Sequence, residues 1–498
     1  MQVIHKPIKS HYELFCLALI LLLALQFRLV PISRGLGQDE LYTSIHFVDA
    51  GSIWNIMSTN RAFNNHVGYS VMARFSEILF GRSESALRFP ALLLGLMGVG
   101  FFFMFSRLVL APSAALVATL ALAVSPPDVI WSMTARGYSS LILSSILSSY
   151  LYFRLLRRPN RIHAVCLVAV STFGIYVHLY SAFVTLVQVV VFARLLTSHR
   201  FALRLKFNVQ TARDSRRTLS LCFFAIAGLT LVCHLPLYRD LLDDLTGRGR
   251  GNFNPAFPWL VLQALTGTHS TLIIFLFMAV SILGYLSLQR SHPLEMNYFA
   301  WLLFASLALM WFARPFDLYP RFFVYWLPFY LVLFVAGVYS MWQLSFGSHK
   351  EVLLYLSRTV SIAVSAVVLM NWTTNWPNYI PNEGYREASS AVLAGADESV
   401  MLCVIGGARA VWKYYIKRPL VMPLSLAEIQ KIGKGYKEVR CVYYEASWQD
   451  PHQTEIAQFL FRHASWSKLN DVTFFIYRIP VQVPSAVQSF PAPARPNA

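Results

Sequence analysis

Charge is what this sequence lacks. Of its 498 residues only 13% are charged, while 56% are hydrophobic. A soluble domain carries about 25% charged residues, so a soluble enzyme is excluded, as are disorder and coiled coil. Acids are the scarcer sign: 24 Asp and Glu stand against 42 Lys and Arg, for a net charge of +18. Cysteine is sparse at six residues, and no CxxC or Cys/His spacing for zinc occurs. Cys16, Cys166, Cys222 and Cys233 fall in apolar runs and read as small hydrophobes. No internal repeat is visible, so the inverted halves of many transporters find no support. What remains is an integral membrane protein with many spans. Aromatics at 15% suit Trp and Tyr belts at the two interfaces.

Apolar runs long enough to span occur at 12–30, 86–106, 112–127, 136–153, 162–178, 180–196, 219–237, 270–288, 296–313, 321–342 and 357–372, eleven in all. The stretch 162–196 is too long for one span and is divided near His178. Lys6 and Lys9 precede the first run as in a signal peptide, but no small-residue cleavage site follows, so the run reads as a span. With the N-terminus inside, the cytoplasmic segments are basic: Arg154, Arg157, Arg158 and Arg161 in one, Arg200, Arg204, Lys206, Arg213, Arg216 and Arg217 in another. On the opposite side acids and bases roughly balance. This positive-inside pattern explains much of the net charge without nucleic acid. It predicts an all-α transmembrane part over 1–372 and a small extracytoplasmic α/β domain over 373–480, with helices at Gly384–Ala394 and Arg409–Ile416 and strands at Ser399–Ile405, Glu438–Glu445 and Val472–Arg478. The Pro-rich tail from 481 reads as disordered. Cys403 and Cys441 fall in the outside domain, where one disulfide is chemically permitted, though nothing in the sequence sets their distance.

The first outside loop, 31–85, is the longest, and loops of that length usually have a purpose. It opens with Asp39 and Glu40, two adjacent carboxylates beside a span, where carboxylates are costly and tend to be functional. The bland alternative is an acidic cap on the following helix. Trp54, Ile56 and Met57, then Val71, Phe75 and Ile78, have the spacing of interfacial helices. His66 follows in the same loop, Arg136 and Tyr138 start a later span, His178 lies between two spans, and Tyr319 with Arg321 opens another. Each has an ordinary reading as a surface residue or headgroup anchor. Arg248 and Arg250, among glycines in the outside loop 238–257, read either as solvated or as part of a mobile segment able to close over a substrate. By a topology derived without them, Asp39, Glu40, His66, Arg136, His178 and Arg321 all fall on one side. Acids with lipid-facing arginines suit transfer of a group from a lipid phosphate: a carboxylate takes the acceptor's proton and arginines stabilise the leaving phosphate. One Asp-Glu pair with scattered His defines no metal site; a divalent metal is chemically possible but is neither required nor supported by the sequence.

The order and spacing of several motifs resemble the GT-C superfamily of integral-membrane glycosyltransferases that use polyprenyl-phosphate sugars, in the branch of protein O-mannosyltransferases and aminoarabinose transferases. The motifs are Asp39-Glu40-Leu41-Tyr42, Asn65-His66, Phe80-Gly81-Arg82-Ser83-Glu84 with Leu87-Arg88-Phe89-Pro90, Ala135-Arg136-Gly137-Tyr138, Val177-His178-Leu179-Tyr180, Pro320-Arg321-Phe322-Phe323 and Tyr385-Arg386-Glu387-Ala388. Two positions depart from the pattern: Val67-Gly68 stand where prolines usually follow the histidine, and Thr134 stands where many relatives carry an acid. The resemblance implies a bundle of about eleven spans and inverting transfer of one sugar from a polyprenyl monophosphate to a glycan, lipid or protein hydroxyl outside the cytoplasmic membrane. It implies Asp39, with Glu40 beside it, as base or acceptor anchor, Arg136 and Arg321 at the donor phosphate, and His66 and His178 in the pocket. Tyr138 and Tyr319, next to those arginines, are expected to line the pocket too. A ligase using a diphosphate-linked oligosaccharide would use the same loops and arginines. A flippase would want polar residues at mid-span, whereas here they are expected at the outer helix ends.

Overall fold

The computed structural model describes residues 11–49, 51–59, 65–197, 209–247, 253–313, 318–343, 350–374, 383–405, 409–423, 425–433, 435–444, 451–470 and 472–478. Helices α1 (His11–Leu29), α2 (Gln38–Thr43), α3 (Ile53–Met57), α4 (Val67–Phe80), α5 (Glu84–Ser106), α6 (Pro112–Val124), α7 (Pro126–Trp131), α8 (Tyr138–Arg157), α9 (Arg161–Val177), α10 (Ser181–Thr197) and α11 (Val209–His234) come first. They are followed by α12 (Tyr238–Gly247), α13 (Phe257–Thr266), α14 (Thr271–Gln289), α15 (Pro293–Ala300), α16 (Ser306–Ala313), α17 (Leu327–Gln343) and α18 (Lys350–Thr374). A π turn, Trp301–Ala305, joins α15 to α16, and a 3-10 turn, Pro320–Trp326, leads into α17.

Each of the eleven runs corresponds to a helix. Among the described residues seven helical stretches are long and apolar enough to cross a membrane, and four shorter apolar helices accompany them. One of the four, α13, lies between the apolar runs 219–237 and 270–288, where the sequence predicts no span. The division near His178 holds: α9 ends at Val177 and α10 starts at Ser181. Arg248 and Arg250 lie outside the described residues, as does the tail from 481.

The chain divides into two compact units, one of residues up to Arg34 and Tyr42–Pro381, the other of Gly35–Leu41 and the chain from Asn382. In the first unit, small residues let helices approach. A Cβ on Gly284 would meet the Leu333 carbonyl oxygen at 1.9 Å, and one on Gly337 the Val280 carbonyl at 1.9 Å, so α14 and α17 cross backbone to backbone. Phe277 stacks on Phe334 beside that crossing, at 3.9 Å. Helix α4 turns Tyr69, Ala73 and Ser76 inward and leaves Phe75, Ile78, Leu79 and Phe80 exposed, the apolar outer face expected of an interfacial helix.

Polar groups are not confined to the helix ends. Helix α8 carries a serine seam into the bundle: Ser144 bonds Ser181 (3.1 Å), Ser149 bonds Tyr298 (2.8 Å), and Gln188 Nε2 donates to Ser148 (3.3 Å). All of these side chains are uncharged, so the seam ties helices together without the cost of buried charge.

At the end of α1 a charge is buried and paired. Arg28 Nη2 donates to Asp128 Oδ2 at 2.5 Å, and Arg28 Nη1 donates to the carbonyls of Ala24 (2.8 Å) and Ala123 (2.9 Å). Both side chains are fully enclosed. The pair joins α1 to α7. Arg88, on α5, is also buried and donates to the carbonyls of Ile32 (3.0 Å) and Arg34 (2.7 Å), which fixes the chain leaving α1.

The second unit holds α19 (Tyr385–Leu393), β1 (Val400–Ile405), α20 (Arg409–Trp412), α21 (Leu426–Gly433), β2 (Glu438–Tyr444), α22 (Pro451–His463), β3 (Ser465–Leu469) and β4 (Val472–Arg478). The sheet order is β1-β2-β4-β3, with β1 parallel to β2 and the other pairs antiparallel. β1 is buried along its whole length, as its unbroken apolar run requires. Cys403 and Cys441 face each other on β1 and β2 and form a disulfide. Strand β3, polar and largely exposed, has no apolar pattern to announce it. The unit also takes in Gly35–Leu41, which the sequence assigns to the transmembrane part.

Removing one partner of a buried ion pair leaves the other uncompensated, at about 3–5 kcal/mol. Asp128→Ala is therefore expected to lower the thermal unfolding midpoint in detergent sharply, while Arg28→Met with Asp128→Leu recovers most of the loss. An Asp128→Ala protein melting like the wild type would remove this pair as a tie.

Candidate active site

The residues singled out by sequence fall into two groups, one in each unit. In the first, α4 begins at His66, α8 begins just after Arg136 and Gly137, and the α9–α10 turn carries His178 and Tyr180. These ends converge. The His66 and His178 rings lie 4.7 Å apart, and Tyr138 sits 5.4 Å from the first and 5.0 Å from the second. Trp131 packs at a tilt against Tyr138 at 4.2 Å, and Phe322 packs on Tyr180 at 4.9 Å. Gly137 permits this approach: a Cβ there would meet Val177 Cγ1 at 2.8 Å and His66 Nδ1 at 3.0 Å.

Arg136 is buried, and its Nη1 donates to Thr43 Oγ1 at 3.0 Å. Arg321 is half-buried with its guanidinium 4.6 Å from the centre of the Tyr319 ring, a cation–π contact. Tyr319 itself is 48% exposed, so it supports Arg321 more than it lines an enclosed space.

Both histidines are buried and neutral. Burial first, then the positive charge of Arg136 and Arg321, pulls His178 down to about 3. His66 is pushed well below its ordinary value by burial, by Arg136, by His178 and by Arg321, against the opposing effect of its bond to the Val177 carbonyl. The Tyr180 backbone N–H donates to His178 Nδ1 at 3.3 Å, so neutral His178 carries its proton on Nε2. Among the described residues neither His66 Nε2 nor His178 Nε2 has a hydrogen-bond partner. Nor does the buried hydroxyl of Tyr180. The result is a positive field around unspent neutral polar groups, which is the environment an anion needs. Beside it, an apolar cavity of about 400 Å³ is lined by Ile175, Phe183, Leu186, Val189, Phe223 and Ile226 from α9, α10 and α11.

In the second group, α2 carries Asp39 and Glu40 in its first turn. Glu40 is buried, and its Oε2 accepts the Gly37 backbone N–H at 3.0 Å. That is the return half of a capping box, so Glu40 holds the helix start. Asp39 stays half-exposed. Thr43, which receives Arg136, lies four residues on from Asp39 in the same helix. Among the described residues no three His, Cys, Asp or Glu gather as a metal would need.

Thr43, Trp131, Gly137 and Phe322 have no role in the sequence reading, although Gly137 and Phe322 stand within its motifs. The Ala-Arg-Gly-Tyr motif contained the signal for Gly137: a glycine at a helix start between two functional side chains marks close backbone approach.

Residues 67–211 match the family described as dolichyl-phosphate-mannose-protein mannosyltransferase. A search of curated proteins finds no match. Among solved structures the chain is similar to ArnT from Cupriavidus metallidurans in the apo state, with a TM-score of 0.57 and 14% identity over 93% of this chain and 97% of that one. It is similar to ArnT bound to undecaprenyl phosphate, with a TM-score of 0.54 and 15% identity over 96% and 100%. It is also similar to the archaeal oligosaccharyltransferase AglB from Archaeoglobus fulgidus, in complex with an inhibitory peptide and a dolichol-phosphate, with a TM-score of 0.55 and 10% identity over 96% and 76%. The chain thus has the GT-C fold.

The depressed histidines set a pH dependence. In the unfolded chain a histidine titrates near 6.5, so the stability that neutral His178 contributes is complete above that value and is lost as pH falls towards 3, because only the unfolded state binds the proton. The slope is about 1.4 kcal/mol per pH unit for each histidine. His178→Gln is expected to flatten the fall in unfolding midpoint between pH 6 and 4; an unchanged slope would mean that His178 titrates in the native state.

Proposed function

We propose that this protein is a glycosyltransferase that moves a single sugar from a polyprenyl monophosphate carrier to a hydroxyl of a glycan, lipid or protein, with inversion. The observation that carries the reading is the positive field of Arg136 and Arg321 around two buried neutral imidazoles, in a fold shared with ArnT bound to undecaprenyl phosphate and AglB in complex with dolichol-phosphate. The family description over residues 67–211 points to the same donor class.

In this reading Arg136 and Arg321 hold the donor phosphate, with His178 Nε2–H as a further donor. The isoprenoid tail occupies the apolar cavity between α9, α10 and α11. Asp39 takes the proton of the acceptor hydroxyl as its oxygen bonds to the anomeric carbon. The bond from that carbon to the phosphate oxygen breaks, and the carrier leaves as a monophosphate with one more negative charge. Contacts from the arginines strengthen as that charge grows, so they lower the barrier rather than only binding the ground state. Neutral histidines suit this role, since they add no charge of their own to an arginine-rich site. The positive-inside pattern supports a location in the cytoplasmic membrane, with the N-terminus inside and both the site and the C-terminal domain outside.

Purified protein offered polyprenyl-phosphate sugars and an envelope extract is expected to release free polyprenyl phosphate. Asp39→Asn should slow this by about 10²–10⁴-fold, the usual worth of a general base. Arg136→Ala and Arg321→Ala should each cost roughly a hundredfold or more, with Arg136→Lys intermediate because the planar fork is lost. Wild-type turnover by Asp39→Asn would refute the base assignment.

A further inference from the structure

Asp39 stands at the start of α2 (Gln38–Thr43), which runs on without a break into a π turn at Ser44–Val48, eleven helical residues in all. So short a helix has little stability of its own, and the aim of its first turn depends on what fixes the chain leading into it. Three consecutive backbone amides precede Asp39, and each donates to a side-chain oxygen. The Leu36 N–H donates to Tyr415 Oη at 2.8 Å, the Gly37 N–H to Glu40 Oε2 at 3.0 Å, and the Gln38 N–H to Glu383 Oε2 at 2.9 Å. Leu36 is buried. Two of the three acceptors, Tyr415 and Glu383, come from the C-terminal part of the chain, more than 300 residues away in sequence.

The fit around these bonds is close. A Cβ on Gly37 would stand 2.8 Å from Glu383 Oε1, and a Cβ on Gly35 would stand 3.2 Å from Arg386 Cβ. Both glycines therefore let the loop lie against the residues that hold it. Glu383 is itself aimed by its neighbour. Gly384 has φ +83°, and a Cβ there would meet the Leu469 carbonyl oxygen at 2.1 Å. Only glycine takes that conformation at that contact without strain, so the backbone carrying Glu383 packs directly against the end of β3. Tyr415 follows α20, where its backbone N–H donates to the Trp412 carbonyl at 3.2 Å.

We propose that Glu383 and Tyr415 are positioning residues for Asp39, and that the C-terminal domain serves the reaction by clamping the loop that presents this carboxylate. The proposal rests on the assignment of Asp39 as base. Neither Glu383 nor Tyr415 needs to touch substrate. Each acts through the backbone of residues 36–38, and releasing either bond lets the first turn of α2 swing. A displacement of about 1 Å in a reacting group costs on the order of a hundredfold in rate.

The test compares full-length Glu383→Ala, Glu383→Gln and Tyr415→Phe with Asp39→Asn, reading polyprenyl phosphate release and hydrogen–deuterium exchange of the 35–41 peptide. Glu383→Ala and Tyr415→Phe should each lower kcat by roughly ten- to a hundredfold with the KM for donor unchanged. Both should speed exchange at 35–41. Glu383→Gln should restore kcat to within about threefold of wild type, because its amide oxygen still accepts from Gln38. In the Asp39→Asn background, Glu383→Ala should cause no further loss. Three outcomes overturn the clamp: unchanged exchange at 35–41 in Glu383→Ala, wild-type kcat in both Glu383→Ala and Tyr415→Phe, or an additive loss on Asp39→Asn. Failure of the base assignment shows separately, as wild-type turnover by Asp39→Asn itself. Tyr415→Phe removes a single oxygen, so it keeps the test decisive if Glu383→Ala fails to fold.

Discussion

The cost of placing charge in hydrocarbon arranges the transmembrane unit. Along α8 the interior polar contacts are between hydroxyls and an amide: Ser149 bonds Tyr298, and Gln188 bonds Ser148. The unit's buried arginines lie at or beyond the ends of helices. Arg28 meets Asp128, Arg88 meets two carbonyls, and Arg136 meets Thr43. The first two solve a structural problem. The third stands beside Arg321 in acting on two imidazoles that burial already holds neutral. An anion is the ligand that such a place rewards, and a lipid phosphate can bring one to it while its tail remains in apolar surroundings.

The chemistry proposed here separates the roles of the two adjacent acids. Glu40 is spent on the Gly37 amide, and Asp39 remains half-exposed. A general base has to meet its substrate, so the division of labour follows from burial. Their adjacency in sequence hides this, because neighbouring residues on a helix face directions about a third of a turn apart.

Much of the fold is legible in the sequence. Hydropathy located eleven helices, because the cost of transferring residues into a bilayer is a local signal that a single run of sequence carries. Strands β1, β2 and β4 were legible for the same reason: their cores are unbroken or alternating apolar runs. Strand β3 was not, since its exposed sequence Ser465-Trp466-Ser467-Lys468-Leu469 is held by pairing with β4 rather than by burial. Helix α13 was missed because ten residues are too few to register as a span. The convergence of His66, Tyr138 and His178 depends on long-range packing, with Gly137 as its one local trace. The bonds from Glu383 and Tyr415 to residues 36–38 join positions that no periodicity relates.

The central claim is that the carrier is a monophosphate. The most direct measurement offers purified wild-type protein paired polyprenyl donors, the same sugar on a monophosphate and on a diphosphate, with an acceptor extract, and identifies the released carrier by mass spectrometry. The account predicts consumption of the monophosphate donor, release of free polyprenyl monophosphate, and a product glycoside of inverted anomeric configuration. Consumption of the diphosphate donor alone, with release of polyprenyl diphosphate, would contradict it.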